Sequence, residues 1–302
     1  MIAYRFLLVS LSIETILGET TIHRRKEKLK QMSSGQDIGD VYNATLERIR
    51  AQGKDKARLG MEAIMWVAYS ERSLAPDELC EALGVEIGSR DLNSDNAPSI
   101  RTILNCTLGL GTVDSSSSKV RLVHFTLQEH ILANPKLFPS PHSMIAEVCL
   151  TYLNFRSIKN LSSARSSPPP TTPFLEYASY YWGAHARRES SEITISLAKK
   201  LLNRFDAHIS CKLLLSKKFP CGKPLGLAET FLGLTIEDFD FSQMPFDIAG
   251  NPIGFTGLHA GALLGISEIL ASLLQIKEWD LTQLTIVEIR RWCWLPGVDM
   301  MG

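Results

Sequence analysis

The chain has 302 residues, 45% of them apolar and 21% charged. These are ordinary values for a globular protein, and the length accommodates two or three small domains. Lysine plus arginine equals aspartate plus glutamate at 32 each, which excludes a long-range electrostatic pull toward nucleic acid or anionic lipid and leaves only a local patch open.

The N-terminal stretch "MIAYRFLLVSLSIETILGET" opens like a secretory signal. Glu14 interrupts its apolar run, no small-x-small cleavage site follows, and the uninterrupted part is too short to span a bilayer. Phe6, Leu7, Ser10, Ile13 and Leu17 suit one face of a helix instead. "TTIHRRKEKLKQM" reads as a second helix with a solvated basic face. Tyr42, Leu46 and Ile49 predict a short amphipathic helix ending near "AQGKD". Leu59, Ala63, Trp66 and Val67 mark the next helix. "PDELCEALG" is another, with Pro76 in its first turn and Gly84 as its stop. After a polar loop, Gly88 to Asn96, "APSIRTILNCTL" reads as a third helix. "LGTVD", "SSSSK" and "VRLVHF" then give strand, turn and strand, and "TLQEHILA" closes with a helix.

Three helices followed by a two-stranded hairpin is the order of a winged-helix domain. That fold often binds DNA through its third helix, which here offers Arg101 as its basic residue and no cluster of donors for base edges. Beyond Ala133 the pattern is helical again. Ile145, Val148, Cys149, Tyr152 and Leu153 form one stripe. "SSARSSPPPTTP" is a loop, since three consecutive prolines cannot continue a helix. Phe174, Tyr177, Ala178, Tyr181 and His185 form an aromatic face that reads as core, and "ISLAKKLLNRF" is a further helix. The six cysteines, Cys80, Cys106, Cys149, Cys211, Cys221 and Cys293, include no C-x-x-C pair. They fit reduced, buried thiols in a cytoplasmic protein rather than a zinc ribbon.

The stretch "VRLVHFTLQEHI" places two histidines and a glutamate within seven residues. Thr126 and Glu129 form T-x-x-E, a capping box in which the glutamate reaches back to the cap residue's N–H. Leu127 and Ile131 then face the core, and His130 is half exposed. No H-E-x-x-H, no G-x-S-x-G elbow and no local cysteine-nucleophile signature accompanies them. His124 ends a strand and reads first as a buried histidine with one hydrogen bond.

These segments together resemble one family. "RLVHFTLQEHI" is similar to the "LVHxTxQEY" signature of the winged-helix domain in fungal NACHT–ankyrin proteins, NLR-like signalling ATPases of the STAND class. "FLLVSLSIETIL" resembles the helix ending their NTPase module, "DVYNATLERI" their linker helix, and "LAPDELCEALGV" their "LSVDELREALAV". "MIAEVCLTYLNF" and "PFLEYASYYWGAHAR" resemble their next two helical signatures. This winged helix is of the type also named for a GPI inositol deacylase, and the module carries no hydrolase residues. Near the C-terminus, "GFTGLHAGALLGISEILASLL" resembles the start of an ankyrin repeat through Gly254, Thr256, Leu258, His259, Ala262 and Gly265, with Gly257 where proline is usual. In that pattern Thr256 and His259 tie the turn before the first helix, and Ile266, Ile269, Leu270, Leu273 and Leu274 supply the second.

The expected architecture is mainly α with a small β-hairpin wing. It comprises a helical tail of a NACHT-type module (1–38), a winged helix (39–135), a helical bundle (136–215) with a Pro-rich loop (165–173), an ankyrin-like start (216–284) and an irregular tail (285–302). The resemblance implies a non-enzymatic regulatory and protein-interaction module of a signalling protein, with protein partners reached through the ankyrin-like region or an NTPase module. Neither nucleic acid nor membrane is an expected partner. The sequence contains no G-x-x-x-x-G-K-[ST], so ATP or ADP is expected only where an NTPase module is supplied elsewhere. With one repeat unit recognisable as well, the expectation is of a fragment, a truncated form or a paralogue that lost both ends, and read-through of non-coding sequence is a hypothesis for the last eighteen residues. In the wider family the histidine matching His124 contacts a phosphate of bound ADP, which makes His124 a latent phosphate contact. Two alternatives stay open: a winged-helix nucleic-acid binder, and a hydrolase using His124 or His130.

Overall fold

The structure, a computed structural model, describes residues 20–33, 38–162, 167–205, 207–218, 256–257, 260–261 and 264–274. The contacts divide the chain into two units, 1–83 with 97–139, and 84–96 with 140–302.

In the first unit, α1 (Ile22–Ser33) is the basic helix expected from the sequence. The helix α2 (Ile38–Arg50) buries Val41, Tyr42, Thr45, Leu46 and Ile49, the i, i+4, i+7 face legible in the sequence. The helix α3 (Lys54–Tyr69) is more deeply embedded than one stripe would require, burying Gly60, Ala63, Ile64, Met65, Trp66 and Ala68. Gly60 allows this. A Cβ there would stand 2.4 Å from the Cys106 carbonyl oxygen, so only glycine lets α3 approach α5 (Ile100–Cys106) so closely. Between them in sequence lies α4 (Pro76–Gly84), started by Pro76 with Asp77 and Glu78 in its first turn. Ser99 caps α5 by accepting from the Thr102 N–H.

The hairpin pairs β1 (Gly111–Asp114) with β2 (Lys119–Leu122) antiparallel, with Thr112 opposite Arg121 and Val113 opposite Val120. Val120 is buried and its N–H donates to the Leu74 carbonyl at 2.8 Å. The connector before α4 thus adds one ladder bond to the outer edge of β2. The helix α6 (Phe125–Ala133) follows directly and buries Leu127 and Ile131, as expected, with His130 half exposed.

In the second unit, α7 (Pro141–Leu153), the single-turn α8 (Arg156–Lys159), α9 (Leu175–Arg188), α10 (Glu192–Leu202) and α11 (Ile209–Lys218) form a bundle. Most of the aromatic face is core: Phe174, Tyr177, Ala178 and His185 are fully buried, as is Trp182, but Tyr181 is only half-buried. The loop 84–96, which reads in the sequence as part of the winged helix, belongs to this unit. Asp91 accepts from the Ser157 N–H and O–H at 2.8 and 2.7 Å, and the Arg156 N–H donates to the Arg90 carbonyl. Farther on, α12 (Ser267–Leu274) follows buried Ile266 and buries Ile269, Leu270 and Leu273. Among the described helices none is long and apolar enough to cross a membrane.

Of the residues expected to shape the repeat-like turn, Thr256 is half-buried and its carbonyl accepts from the Ala260 N–H at 3.0 Å. Leu258 and His259 lie outside the described residues, as does the expected helix at 6–17.

Candidate functional site

A cleft of about 730 Å³ opens in the first unit beside the hairpin. One wall is the α3–α4 turn with Ser70, Arg72 and Ser73. The strands form another, and the first turn of α6 supplies His124, Phe125 and Gln128. Gln128 is held there by donating to the Ala68 carbonyl at 2.9 Å.

The start of α6 departs from the sequence expectation. Thr126 is not the cap residue. His124, extended at φ −154° and ψ 149°, takes that place, and its Nδ1 accepts from the Thr126 N–H at 3.3 Å. The helix begins at Phe125, so its third position is Leu127, and Glu129 stands two residues too far along to reach back to the cap. Glu129 is exposed. The T-x-x-E box therefore does not form, and the imidazole does the work assigned to the threonine hydroxyl. The Thr126 Oγ1 instead sits 2.8 Å from the Tyr42 hydroxyl and 2.8 Å from His124 Nδ1.

His124 is half-buried, its ring centroid 4.4 Å from that of Phe125. Phe125 is 65% exposed, an apolar ring on the lip of the cleft that no periodicity argument singles out. His130 turns elsewhere: its Nε2 lies 2.9 Å from Asn43 Oδ1, and its ring packs 5.7 Å from that of Tyr42. His124, Glu129 and His130 do not converge as a ligand set.

The charges around the cleft are largely engaged. Glu78 is buried and receives both arms of Arg72, at 2.8 and 2.5 Å, together with the Ala75 N–H at 2.6 Å; Lys119 stands 3.8 Å away. Burial pushes the Glu78 carboxyl up, but these hydrogen bonds and the two cations more than offset it, leaving it below its ordinary value. Asp114 accepts from the Ser116 N–H, the Ser117 hydroxyl and the Ser116 hydroxyl and faces Arg121 at 3.2 Å; those partners hold it down at about 2. On α5 the exposed residues are Arg101, Thr102 and Asn105, so the third helix presents one cation, as its sequence indicates.

Among the described residues, no cysteine lines the cleft. Cys106, Cys149 and Cys211 are buried and Cys80 is half-buried, all as free thiols. Burial raises the Cys149 thiol well above its usual value, and burial together with Asp77 raises that of Cys80. Cys221 and Cys293 lie outside the described residues.

The family model for the winged helix domain of GPI inositol-deacylase matches residues 46–147, from within α2 to within α7. Three helices and an antiparallel wing within that span make this part of the chain a winged-helix domain. No curated protein and no solved structure matches the chain.

Proposed function

We propose that the protein is a non-enzymatic regulatory and interaction module of an NLR-like STAND signalling protein, with its winged helix acting on an NTPase module carried elsewhere. The observation that carries this reading is His124. It stands at the cap of α6 with Nδ1 tied inward to Thr126, and its ring lines an open cleft. Nε2 is the nitrogen left for whatever enters that cleft, and a neutral ring protonated there donates to an oxygen such as a phosphate. The similarity of "RLVHFTLQEHI" and its flanking segments to NACHT–ankyrin proteins supports the assignment of partner. In this reading the winged helix restrains the ADP-bound state, and the C-terminal region, which resembles an ankyrin start, takes the protein partner. The chain itself performs no chemistry, and its site of action is the cytoplasm.

The test is nucleotide release. A NACHT-type NTPase module from the resembled family is loaded with a fluorescent ADP and mixed with this chain. Slower release in its presence, reversed by His124→Ala, is the expected result; unchanged release at saturating chain removes the reading. The nucleic-acid alternative rests on Arg101 and is tested separately. It requires a salt-sensitive gel shift that weakens with Arg101→Ala.

A further inference from the structure

The chain uses one device twice. His208 caps α11 as His124 caps α6, each followed two residues later by a hydroxyl residue. At His208 the Nδ1 accepts from the Ser210 N–H at 3.1 Å, with the Ser210 Oγ at 2.5 Å, and the Nε2–H donates to the Leu153 carbonyl at 3.0 Å. Both ring nitrogens are thereby assigned: Nδ1 bare, Nε2 protonated. At His124 the inward half is repeated. Nδ1 accepts from the Thr126 N–H, so it carries no proton in the neutral ring. In that tautomer the Thr126 hydroxyl, 2.8 Å away, donates to Nδ1, whose one lone pair it shares with the backbone N–H, and the Thr126 oxygen accepts from the Tyr42 hydroxyl, also at 2.8 Å. The outward half differs, because here Nε2 belongs to a ring lining the cleft rather than one closed against a helix carbonyl.

The Thr126 hydroxyl contact to Nδ1 is shorter than the 3.3 Å backbone bond, so it is the stronger hold on the ring. That hydroxyl is held in turn from another helix, by the Tyr42 hydroxyl at 2.8 Å. Tyr42 is fully buried on α2, and its neighbour Asn43 reaches His130 near the far end of α6. Successive residues of α2 therefore grip α6 at both ends.

We propose that Tyr42 and Thr126 are positioning residues: their hydroxyl chain fixes His124 as an Nε2–H donor facing the cleft, and the seating of α2 on α6 sets that state. This deepens the reading of the cleft given above and rests on it for its purpose. With α2 seated, the cleft offers a donor and selects ligands that present an oxygen acceptor. When α2 moves, the ring is free to exchange tautomers and that selectivity is lost.

The test uses the full chain labelled with ¹⁵N-histidine, without any ligand. Imidazole nitrogen shifts report which nitrogen is protonated, and His124→Gln assigns the signals. The wild-type ring is expected in the Nε2–H form alone. Tyr42→Phe, which keeps the buried ring, and Thr126→Val, which keeps the β-branched shape, should each give a mixture of both tautomers, with His208 unchanged as the internal reference. A mixed population in the wild type overturns the proposal, as does a single Nε2–H form in both variants. The nucleotide-release assay fails or succeeds independently. Loss of that effect with the tautomer pattern intact removes only the functional reading, and the reverse removes only the positioning role.

Discussion

Gly60 is where the first unit is least tolerant of an added atom. A Cβ would lie 2.4 Å from the Cys106 carbonyl oxygen and 2.9 Å from a methyl of Ile49, and neither the backbone nor the core residue has room to retreat. Gly60→Ala is therefore expected to destabilise by about 1–3 kcal/mol, the usual cost of overpacking, despite alanine's better helix propensity. Urea unfolding checks this, and an unchanged midpoint would contradict the close approach. Gly257 is a second case. It stands where the resembled repeat carries proline, and a Cβ there would meet the Leu202 carbonyl oxygen at 2.0 Å. The departure from the pattern is visible in the sequence; its reason, a helix end packed against the backbone, is not. The cap of α6 shows a similar limit. His124, Thr126 and Glu129 are all singled out by the sequence, but T-x-x-E allows only the threonine as cap. The competing imidazole becomes apparent only when φ and ψ place His124 outside the helix. Tyr42 reads correctly as core, yet its hydroxyl's partner lies 84 residues away and leaves no local signal.

At the scale of elements, the hairpin is well written in the sequence except at its last turn residue. "SSSSK" separates two short apolar alternations, and the turn forms there with the Ser118 N–H donating to the Asp114 carbonyl at 2.8 Å. Ser118 has φ 51°, the left-handed region that a Cβ disfavours. Glycine removes that penalty, so Ser118→Gly should stabilise the chain by about 1 kcal/mol after glycine's own entropy loss. Asp114 and its serine partners stay in place, so the thermal midpoint should rise; a fall would mean that the Ser118 side chain has a role in the wing. The main helices α2, α4 and α10 follow from apolar spacing because each buries one continuous face, whereas α3 and α9 are buried beyond the stripe that marks them in the sequence. The Leu74 contribution to the sheet was not legible. A single ladder bond from "RSLA" to Val120 needs no alternation, and a strand of one residue has no period.

At the scale of the molecule, the two units should respond to acid in different windows. The second holds two buried neutral histidines. Burial, with His142 and Arg188 nearby, takes His185 down to about 3, and burial takes His208 to about 4 against the opposing Leu153 hydrogen bond, with Lys159 adding to the fall. Their ordinary value is near 6.5, so below it the unfolded chain binds protons that the folded unit refuses. Stability is then constant above about 6.5 and falls as pH drops toward 3. The first unit depends instead on Glu78, whose folded carboxyl lies below 4.5. Its contribution is intact above 4.5 and is lost only as pH falls through that lower folded value. The division itself was only partly readable. The helical order is in the sequence, but the polar loop 84–96 joins the second unit through partners 66 residues later, beyond any local pattern. Brief hydrogen–deuterium labelling at one fixed pH, after equilibration at a series of acid values, separates the two responses by mass spectrometry. Peptides from α9 and α11 should lose protection between pH 6 and 4, while peptides from α3 and α4 keep theirs until below about 4.5. His185→Phe, which needs no proton in the unfolded state, should move the α9 transition to lower pH if its packing survives, as judged by protection at pH 7. Retention of α9 and α11 protection down to below about 4.5, with loss in both units only there, would show that the buried histidines do not govern acid stability.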